Sequence, residues 1–580
     1  MRGRKIVHHR KNHTFEESDI DLVYLTKGFQ LGMHQLEHPL RQSMILYLKE
    51  ASTVMTYRLV GMIKLVIRQW KKCGVKTDSK IGLLTSLTSF RLIRHFLVAI
   101  TRNCMSDGDT RLNVALDLIA GKRDDACRLC RISAYLTRLI LAIGARAFGT
   151  TSDDIERGLE DNIFRRSMSS IVSGLAKFGV TRPFTPGAPF QVVWNVTRAC
   201  NLKCKHCYES AGQKDQNELS TNEALECVDK LADAGVVFLA FSGGEPTIRP
   251  DILRLIRRAT ERGIYVAVAT NGISFSNPER VKRFKNAGMK FVQISVDGAN
   301  ADTHDNFRGV SGAFERTIRG IKNCVSEGLF VEISTTVTRH NISEIHDVIT
   351  LSESLKARWL MLYNLVPVGR GAELIDLDLT PDEREHLLEE LWKRASSKEK
   401  SSLEVLTTAP QFGRVASDAN LLCTNQEEII SPTHFNNTRI PKQMQSLTEF
   451  IGGCGAGRFY VALEPNGDIY PCVFFPHIDS MKIGNIVKED FDSLWTHSAL
   501  LQRLRNKDLL RDACGSCEKR HVCGGCRARA IAYFGDELAP DPGCIHNKDY
   551  WDQLVGSCTS DLEVLLRASN SMVKPNFVEG

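Results

Sequence analysis

Apolar residues change their spacing near residue 190, and that change divides the chain. Before it, stretches such as Ser43–Trp70 and Arg131–Phe148 carry apolar side chains three or four residues apart with few Gly or Pro, the repeat of amphipathic helices. Residues 1–183 are therefore expected to be mostly helical. Two prolines and a glycine punctuate FTPGAPF at 184–190. Beyond them, short β-rich runs recur at Val192–Val196, Val236–Phe241, Tyr265–Ala269, Phe291–Val296, Phe330–Val337 and Arg358–Leu362, with helical stretches between them. One such stretch is Thr221–Ala234, with Ser220 as its N-cap. This alternation predicts an α/β fold of parallel strands with helices outside. Residues 396–450 are polar, contain Pro410, Pro432 and Pro441, and are expected to form a bridging segment with loops.

Composition adds two constraints. Charged residues at 25% and hydrophobic ones at 43% argue against wholesale disorder, and 580 residues suffice for several domains. Charge is uneven: residues 1–190 hold 30 Lys and Arg against 17 Asp and Glu, whereas the remainder holds 45 against 51. The basic surplus belongs to the N-terminal third, at positions such as Arg58, Lys64, Arg68, Lys71, Lys72, Arg91, Arg94, Arg128, Arg131 and Arg138. It is read as the solvated face of a helical accessory domain. The competing reading is a peripheral contact with anionic lipid or a docked partner. No nucleic-acid motif accompanies the charge, so no nucleic-acid partner is expected. No stretch reaches the ~18 uninterrupted apolar residues of a membrane span. Leu83–Ile100, the nearest, is broken by Arg91, Arg94 and His95.

Candidate chemistry lies in the 18 cysteines. Their tight C-x2-C spacings, with no signal-peptide pattern at the start, point to metal binding in a reducing, cytoplasmic compartment. Cys200, Cys204 and Cys207 are spaced C-x3-C-x2-C and are followed by Tyr208. Three thiolates in one short loop can face a single point and suit iron–sulfur clusters or zinc. His206 is the nearby alternative ligand, but it adjoins Cys207 and is badly placed to share a tetrahedron. Cys127 and Cys130 form another C-x2-C with only Cys104 near in sequence. Lacking a fourth ligand, they are expected to be buried thiols.

The cysteine loop followed by an aromatic resembles the signature of the radical SAM superfamily. The resemblance implies a partial (β/α)6 TIM-like barrel and a 4Fe-4S cluster on Cys200, Cys204 and Cys207 with one iron left open. That iron would bind S-adenosyl-L-methionine, which is cleaved to methionine and a 5′-deoxyadenosyl radical. Other elements fall in register at strand ends: Gly243-Gly244-Glu245-Pro246, Thr270-Asn271-Gly272 and Ser295-Val296-Asp297-Gly298. By the same resemblance Gly243, Gly244 and Glu245 hold the cosubstrate amino group, Ser295 the ribose, Arg308 of HDNFRG the carboxylate, and Tyr208 covers the adenine. A guanidinium suits a carboxylate because it offers paired hydrogen bonds.

A second cluster reads Cys454-x12-Gly467-x4-Cys472, then Cys514-x2-Cys517-x5-Cys523-x2-Cys526, then Cys544. Seven cysteines so arranged make a metal domain, with zinc as the structural alternative. Their order resembles the SPASM extension of radical SAM enzymes, and CGSCEKRHVCGGCRARA is similar to the haem-decarboxylating and mycofactocin-maturing branch. The resemblance gives one or two auxiliary clusters, a nearer one on Cys454, Cys472 and Cys526 and an outer one on Cys514, Cys517, Cys523 and Cys544. Where other members place a fourth cysteine, this chain has Tyr460, which leaves Cys423, Cys558, substrate or nothing for that position.

The expected organisation is a helical basic domain at 1–183, a radical SAM core at 187–395, the bridging segment at 396–450, a SPASM-type domain at 451–560 and a tail at 561–580. The resemblance implies an oxidoreductase-type radical enzyme that abstracts hydrogen from a peptide or tetrapyrrole-type substrate. An external donor of flavodoxin or ferredoxin type would supply its electron. A non-catalytic iron–sulfur carrier or scaffold explains the cysteines equally well but leaves GGEP, S-x-D-G and Arg308 without a use. A lipid substrate follows if the N-terminal domain touches membrane.

Overall fold

The structure, a computed structural model, describes residues 91–148, 151–397, 401–422, 427–431, 439–442, 450–549 and 551. The expected helix at Ser43–Trp70, the basic positions Arg58, Lys64, Arg68, Lys71 and Lys72, the candidates Cys423 and Cys558, and the tail at 561–580 lie outside the described residues.

Six parallel strands form where the β-rich runs predict them, with ends shifted by a residue or two: β1 Gln191–Asn195, β2 Phe238–Ser242, β3 Tyr265–Thr270, β4 Phe291–Ser295, β5 Phe330–Val337 and β6 Trp359–Asn364. Their register stacks Val192 beside Leu239, Leu239 beside Val266, Val292 beside Val331 and Ile333 beside Leu360. These residues are fully or almost fully buried against helical side chains such as Leu231, Leu255, Ile256, Phe284 and Ile321. Each buried aliphatic or aromatic side chain contributes about 1.5–3 kcal/mol, so the core is built from this interleaving. Between strands, helix Thr221–Asp233 starts at a capping box in which Ser220 and Glu223 each bond the other's backbone N–H.

The sheet does not stop at six strands. Glu404–Thr407 (β7) pairs in parallel with β6, and Tyr460–Leu463 (β8) pairs in parallel with β1, setting Leu463 beside Trp194. Asp468–Tyr470 (β9) and Gly484–Asn485 (β10) continue antiparallel, giving the order β10-β9-β8-β1-β2-β3-β4-β5-β6-β7. β8 covers what would otherwise be an open edge of β1, and a strand edge left bare is a site of unwanted pairing. The bridging segment, expected as loops, also supplies helix Gln411–Leu422 and a small antiparallel pair, Glu428–Ile430 with Arg439–Pro441.

The described N-terminal part is helical: Arg91–Ile100, Arg111–Ile119, Arg128–Phe148, Ser152–Leu159 and Asn162–Phe178. The last helix docks on the barrel. Arg166 donates to the carbonyls of Ala232 (2.8 Å) and Val236 (3.1 Å), and Gly174 lies so close to Thr185 that a Cβ would strike its carbonyl. Part of the basic surplus is thereby structural, since Arg165 also pairs with Asp117 at 3.0 Å and Arg138 grips Glu156 with two bonds. No helix among the described residues is long and apolar enough to cross a membrane. The reading of Cys104, Cys127 and Cys130 as thiols lacking a fourth group is corrected: the Asp107 carboxylate stands among them. Spacing could not show it, because a single acidic residue in a turn carries no periodic signal.

Candidate active site and metal centres

The first cysteine loop hangs from the C-terminal end of β1, where functional loops of such barrels lie. Cys200, Cys204 and Cys207 gather around Leu202, Ile273 and Ala313. Leu202 donates its N–H to Cys200 Sγ and Ala211 donates to Cys207 Sγ, each at 3.4 Å. Burial pushes the Cys200 thiol up to about 12, a penalty that a bound cation reverses by deprotonating the thiol outright. Three donor-supplied thiols in one pocket fit a four-iron cluster.

A strap that the sequence did not reveal holds this loop. Arg370 donates from Nε to the Cys204 carbonyl (2.9 Å), from Nη1 to that of Ala211 (2.7 Å) and from its backbone to that of Cys207 (3.0 Å). Its neighbour Gly369 has φ +57°, and a Cβ there would collide with the carbonyl oxygens of Cys207 and Tyr208. Gly369→Ala is expected to displace the loop and lower the iron held there. Equal iron content and equal cosubstrate cleavage in the variant would refute the strap.

The GGEP loop leans on the same stem. Gly244 N–H donates to Thr197 O (2.7 Å) and Glu245 N–H to Ala199 O (2.8 Å). A Cβ on Gly243 or Gly244 would strike those carbonyls, so the glycines admit the cysteine-loop backbone. The Glu245 carboxylate is fully buried and accepts from Thr247 N (3.0 Å), Thr247 Oγ1 (2.5 Å), Thr270 Oγ1 (2.7 Å) and Asn271 N (2.9 Å). It ties β2's loop to β3's.

Arg308 reaches the cluster pocket from the end of helix Ala301–Arg308. Its Nε lies 2.6 Å from Asp297 Oδ2 and its Nη1 3.7 Å from Cys204 Sγ. Asp297 is wholly buried and also accepts from Thr336 N (2.8 Å). His206 stacks on Phe307 with ring centres 4.3 Å apart and points Nε2 at Asp297 (3.4 Å). Burial drives it down to about 4, so it is neutral at pH 7. Ser295, closing β4, accepts from Ser334 Oγ at 3.3 Å. Tyr208 donates to Asn195 Oδ1 (3.3 Å), sits 3.3 Å from Ser242 Oγ, and meets Phe474 edge-on at 5.1 Å.

A buried acidic group adjoins these residues and was not evident from the sequence. Asn195, the last residue of β1, donates Nδ2 to Glu209 Oε1 (2.6 Å) and Glu464 Oε1 (3.0 Å). His477 Nε2 lies 3.4 Å from Glu464. Burial pushes Glu209 up to about 7 and Glu464 also upward. Two carboxylates facing each other in a dry site share a proton, and such a pair can give or take one near neutral pH. Register explains the meeting: Leu463 lies beside Trp194, so the next residues on each strand are neighbours.

The second cysteine set resolves into two groups. Cys454, Cys472 and Cys526 share a packed cluster with Tyr460. Cys514, Cys517, Cys523 and Cys544 line one pocket with Arg414, Gly524 and Gly525. Backbone N–H groups of Asp541, Lys519 and Gly525 donate to Cys514 (3.5 Å), Cys517 (3.4 Å) and Cys523 (3.4 Å). Four thiols around one cavity, with donors behind them, fit a second four-iron cluster. A buried network fixes this region to the barrel. Asp378 accepts from Arg384 Nη2 (2.7 Å), Arg529 Nη1 (2.7 Å) and Tyr533 Oη (2.6 Å), while Asp541 takes Arg529 Nε (3.2 Å) and the Cys526 N–H (2.7 Å).

Residues 194–351 match the Radical SAM superfamily and residues 454–526 match SPASM, an iron–sulfur cluster-binding domain. The AdoMet-dependent heme synthase of Methanosarcina barkeri is 36% identical over 362 residues, which are 62% of this chain and 97% of that protein. Mycofactocin maturase MftC of Mycobacterium tuberculosis is 33% identical over 363 residues, covering 62% and 83%. Streptococcus suis SuiB bound to S-adenosylmethionine superposes with a TM-score of 0.52 at 19% identity over 71% of this chain and 88% of its own, a likeness of fold. The chain belongs to the radical SAM superfamily and is an S-adenosylmethionine-dependent 4Fe-4S enzyme with a SPASM domain.

Proposed function

We propose that Cys200, Cys204 and Cys207 hold the catalytic cluster and that the enzyme abstracts hydrogen from a carboxylate-bearing tetrapyrrole. The observation that carries the cluster reading is the convergence of the three thiols and Arg308 on one pocket at the barrel mouth. When bound, the cluster supplies the electron that cleaves the cosubstrate reductively. Arg308 pairs with the cosubstrate carboxylate, Ser295 with the ribose, and Tyr208, fixed by Asn195, offers its ring to the adenine. Because the Glu245 carboxylate is fully buried and held by four protein donors, the ammonium goes to the backbone of Gly243 and Gly244. Cys454, Cys472 and Cys526 hold the nearer auxiliary cluster with the Tyr460 phenol facing it. Cys514, Cys517, Cys523 and Cys544 hold the outer one. Residues 187–395 act as the radical SAM core, 451–560 as the auxiliary-cluster domain and 1–183 as an accessory domain. A flavodoxin- or ferredoxin-type donor in a reducing cytoplasm completes the system.

The tetrapyrrole reading is supported by the heme synthase relative, matched over 97% of its length. The second reading, a ribosomal peptide, is supported by the 33% identical maturase. The reconstituted enzyme should be given cosubstrate and reductant with either a propionate-bearing iron tetrapyrrole or a precursor peptide, each deuterated on its side chains. Deuterium entering 5′-deoxyadenosine from the tetrapyrrole is the expected result; transfer only from peptide overturns it in favour of the second. Contact between the basic N-terminal third and anionic lipid would show as salt-sensitive vesicle binding.

Arg308→Ala is expected to weaken cosubstrate binding by about 1.5–3 kcal/mol, the worth of a charged hydrogen bond. Equilibrium dialysis should show the dissociation constant rising about 10- to 150-fold. Iron measured in parallel separates the roles: lost iron with unchanged affinity per cluster would leave Arg308 only as the partner of Asp297 and Cys204.

A further inference from the structure

We propose that Cys104, Asp107, Cys127 and Cys130 form a closed zinc site in the N-terminal domain, outside both family-matched regions. Two short pieces of chain make it. Asn103–Cys104 pairs antiparallel with Asp109–Thr110, and the turn between them presents Cys104 and Asp107. Gly108 closes that turn at φ +76°, its N–H donating to the Cys104 carbonyl at 2.9 Å. Cys127 precedes helix Arg128–Phe148, and Cys130 lies in its first turn.

The four ligand atoms all lie within 4.8 Å of one another. Cys104 Sγ is 3.6 Å from Cys127 Sγ and 3.3 Å from Asp107 Oδ2. A tetrahedral zinc with Zn–S of about 2.3 Å and Zn–O of about 2.0 Å sets its sulfurs about 3.8 Å apart and sulfur from oxygen about 3.5 Å. The spacing therefore matches one ion. A four-iron cluster, by contrast, binds each thiolate on a different iron and spreads the sulfurs further. The 3.6 Å between the Cys104 and Cys127 sulfurs is also too long for a disulfide, whose sulfurs approach to about 2.05 Å.

Surroundings orient the ligands. The Asp107 side chain is only 6% exposed and holds one oxygen against Arg123 and the other against the Cys104 thiol. The Cys127 N–H is shared by Asp107 Oδ1 (3.1 Å) and Oδ2 (3.3 Å), and with Arg123 Nη2 3.5 Å from Oδ1 the other oxygen, Oδ2, lies beside the Cys104 sulfur. Arg123 and Arg131 also brace the 124–126 loop through the carbonyls of Asp125 (2.7 Å), Asp124 (3.3 Å) and Ala126 (3.0 Å). Outer partners that fix ligands in this way are the usual companions of a metal site. The apolar core beneath is small, Cys104, Val114 and Cys130 with Leu118, Ala126 and Cys127 at its edge. Four protein ligands leave no open position, so the ion serves folding of this segment.

The test is zinc content and zinc-edge X-ray absorption on the full-length protein, expressed with zinc and purified anaerobically without chelator. One zinc per chain beside the iron is expected, with three sulfur scatterers and one oxygen. Zinc below about 0.2 per chain, or a four-sulfur shell that marks it as a stray ion in the other cysteine sets, overturns the proposal. Cys127→Ser/Cys130→Ser should lose the zinc while keeping the iron, and zinc retained there also overturns it. Should that variant not fold, Asp107→Cys decides: the shell should change from three sulfurs to four, and an unchanged shell rejects the assignment.

Discussion

Replacing Cys200, Cys204 and Cys207 together by Ala is expected to abolish 5′-deoxyadenosine formation. The wild-type enzyme, given dithionite and S-adenosylmethionine without oxygen, should release this product slowly even without substrate. The variant should lose about four iron per chain and keep the rest, because the other seven cysteines sit in separate pockets reached from different elements. Cys514→Ala is the control: it removes a thiol from the outer pocket and should leave substrate-free cleavage in place. Product formation surviving in the triple variant would remove the catalytic role from this loop. A wild-type protein with full iron that makes no product would favour the carrier reading.

Asp378→Ala should produce the largest loss of stability. The carboxylate is fully buried between Arg384 and Arg529, both themselves 0–1% exposed in their side chains. Deleting it leaves Arg384 without its carboxylate and Arg529 with Asp541 alone in a dry interior, and breaking a buried ion pair from one side costs about 3–5 kcal/mol. Denaturant unfolding of the reconstituted enzyme should register that cost, and Asp378→Asn should lose less by keeping the shape. Arg529 also bonds Asp541, which receives the Cys526 N–H, so iron at the nearer auxiliary site should fall as well. Burial raises the Asp378 carboxyl, but Arg529 and then Arg384 outweigh it and hold it below its ordinary value. The network therefore stabilises the fold above the ordinary carboxylate range and is lost as pH falls through the depressed one. A variant as stable as wild type in neutral solution would show the network to be dispensable.

The strands illustrate how far local pattern reaches. β1 to β6 lie within two or so residues of the β-rich runs because each carries fully buried apolar residues and is flanked by amphipathic helices. β7 and β8 escaped because each is four residues long and set among polar or cysteine-rich sequence. Only their pairing with β6 and β1 makes them strands.

The sequence by itself pointed to the family and the barrel and brought Cys200, Cys204 and Cys207 together, since C-x3-C-x2-C is local and needs no distant partner. Cys523 and Cys526, with only two residues between them, nonetheless part into different groups. The tertiary structure decided everything that depends on chains meeting. Glu464 reaches Asn195 and Glu209 only because β8 aligns with β1. Gly369 and Arg370 grip a loop some 160 residues earlier in the sequence. Tyr460 stands among thiols from three separate segments, and Asp107 joins Cys127 and Cys130 across a turn and a helix start. Periodicity records which face of an element is apolar, but not which faces meet, and these sites are made where they meet.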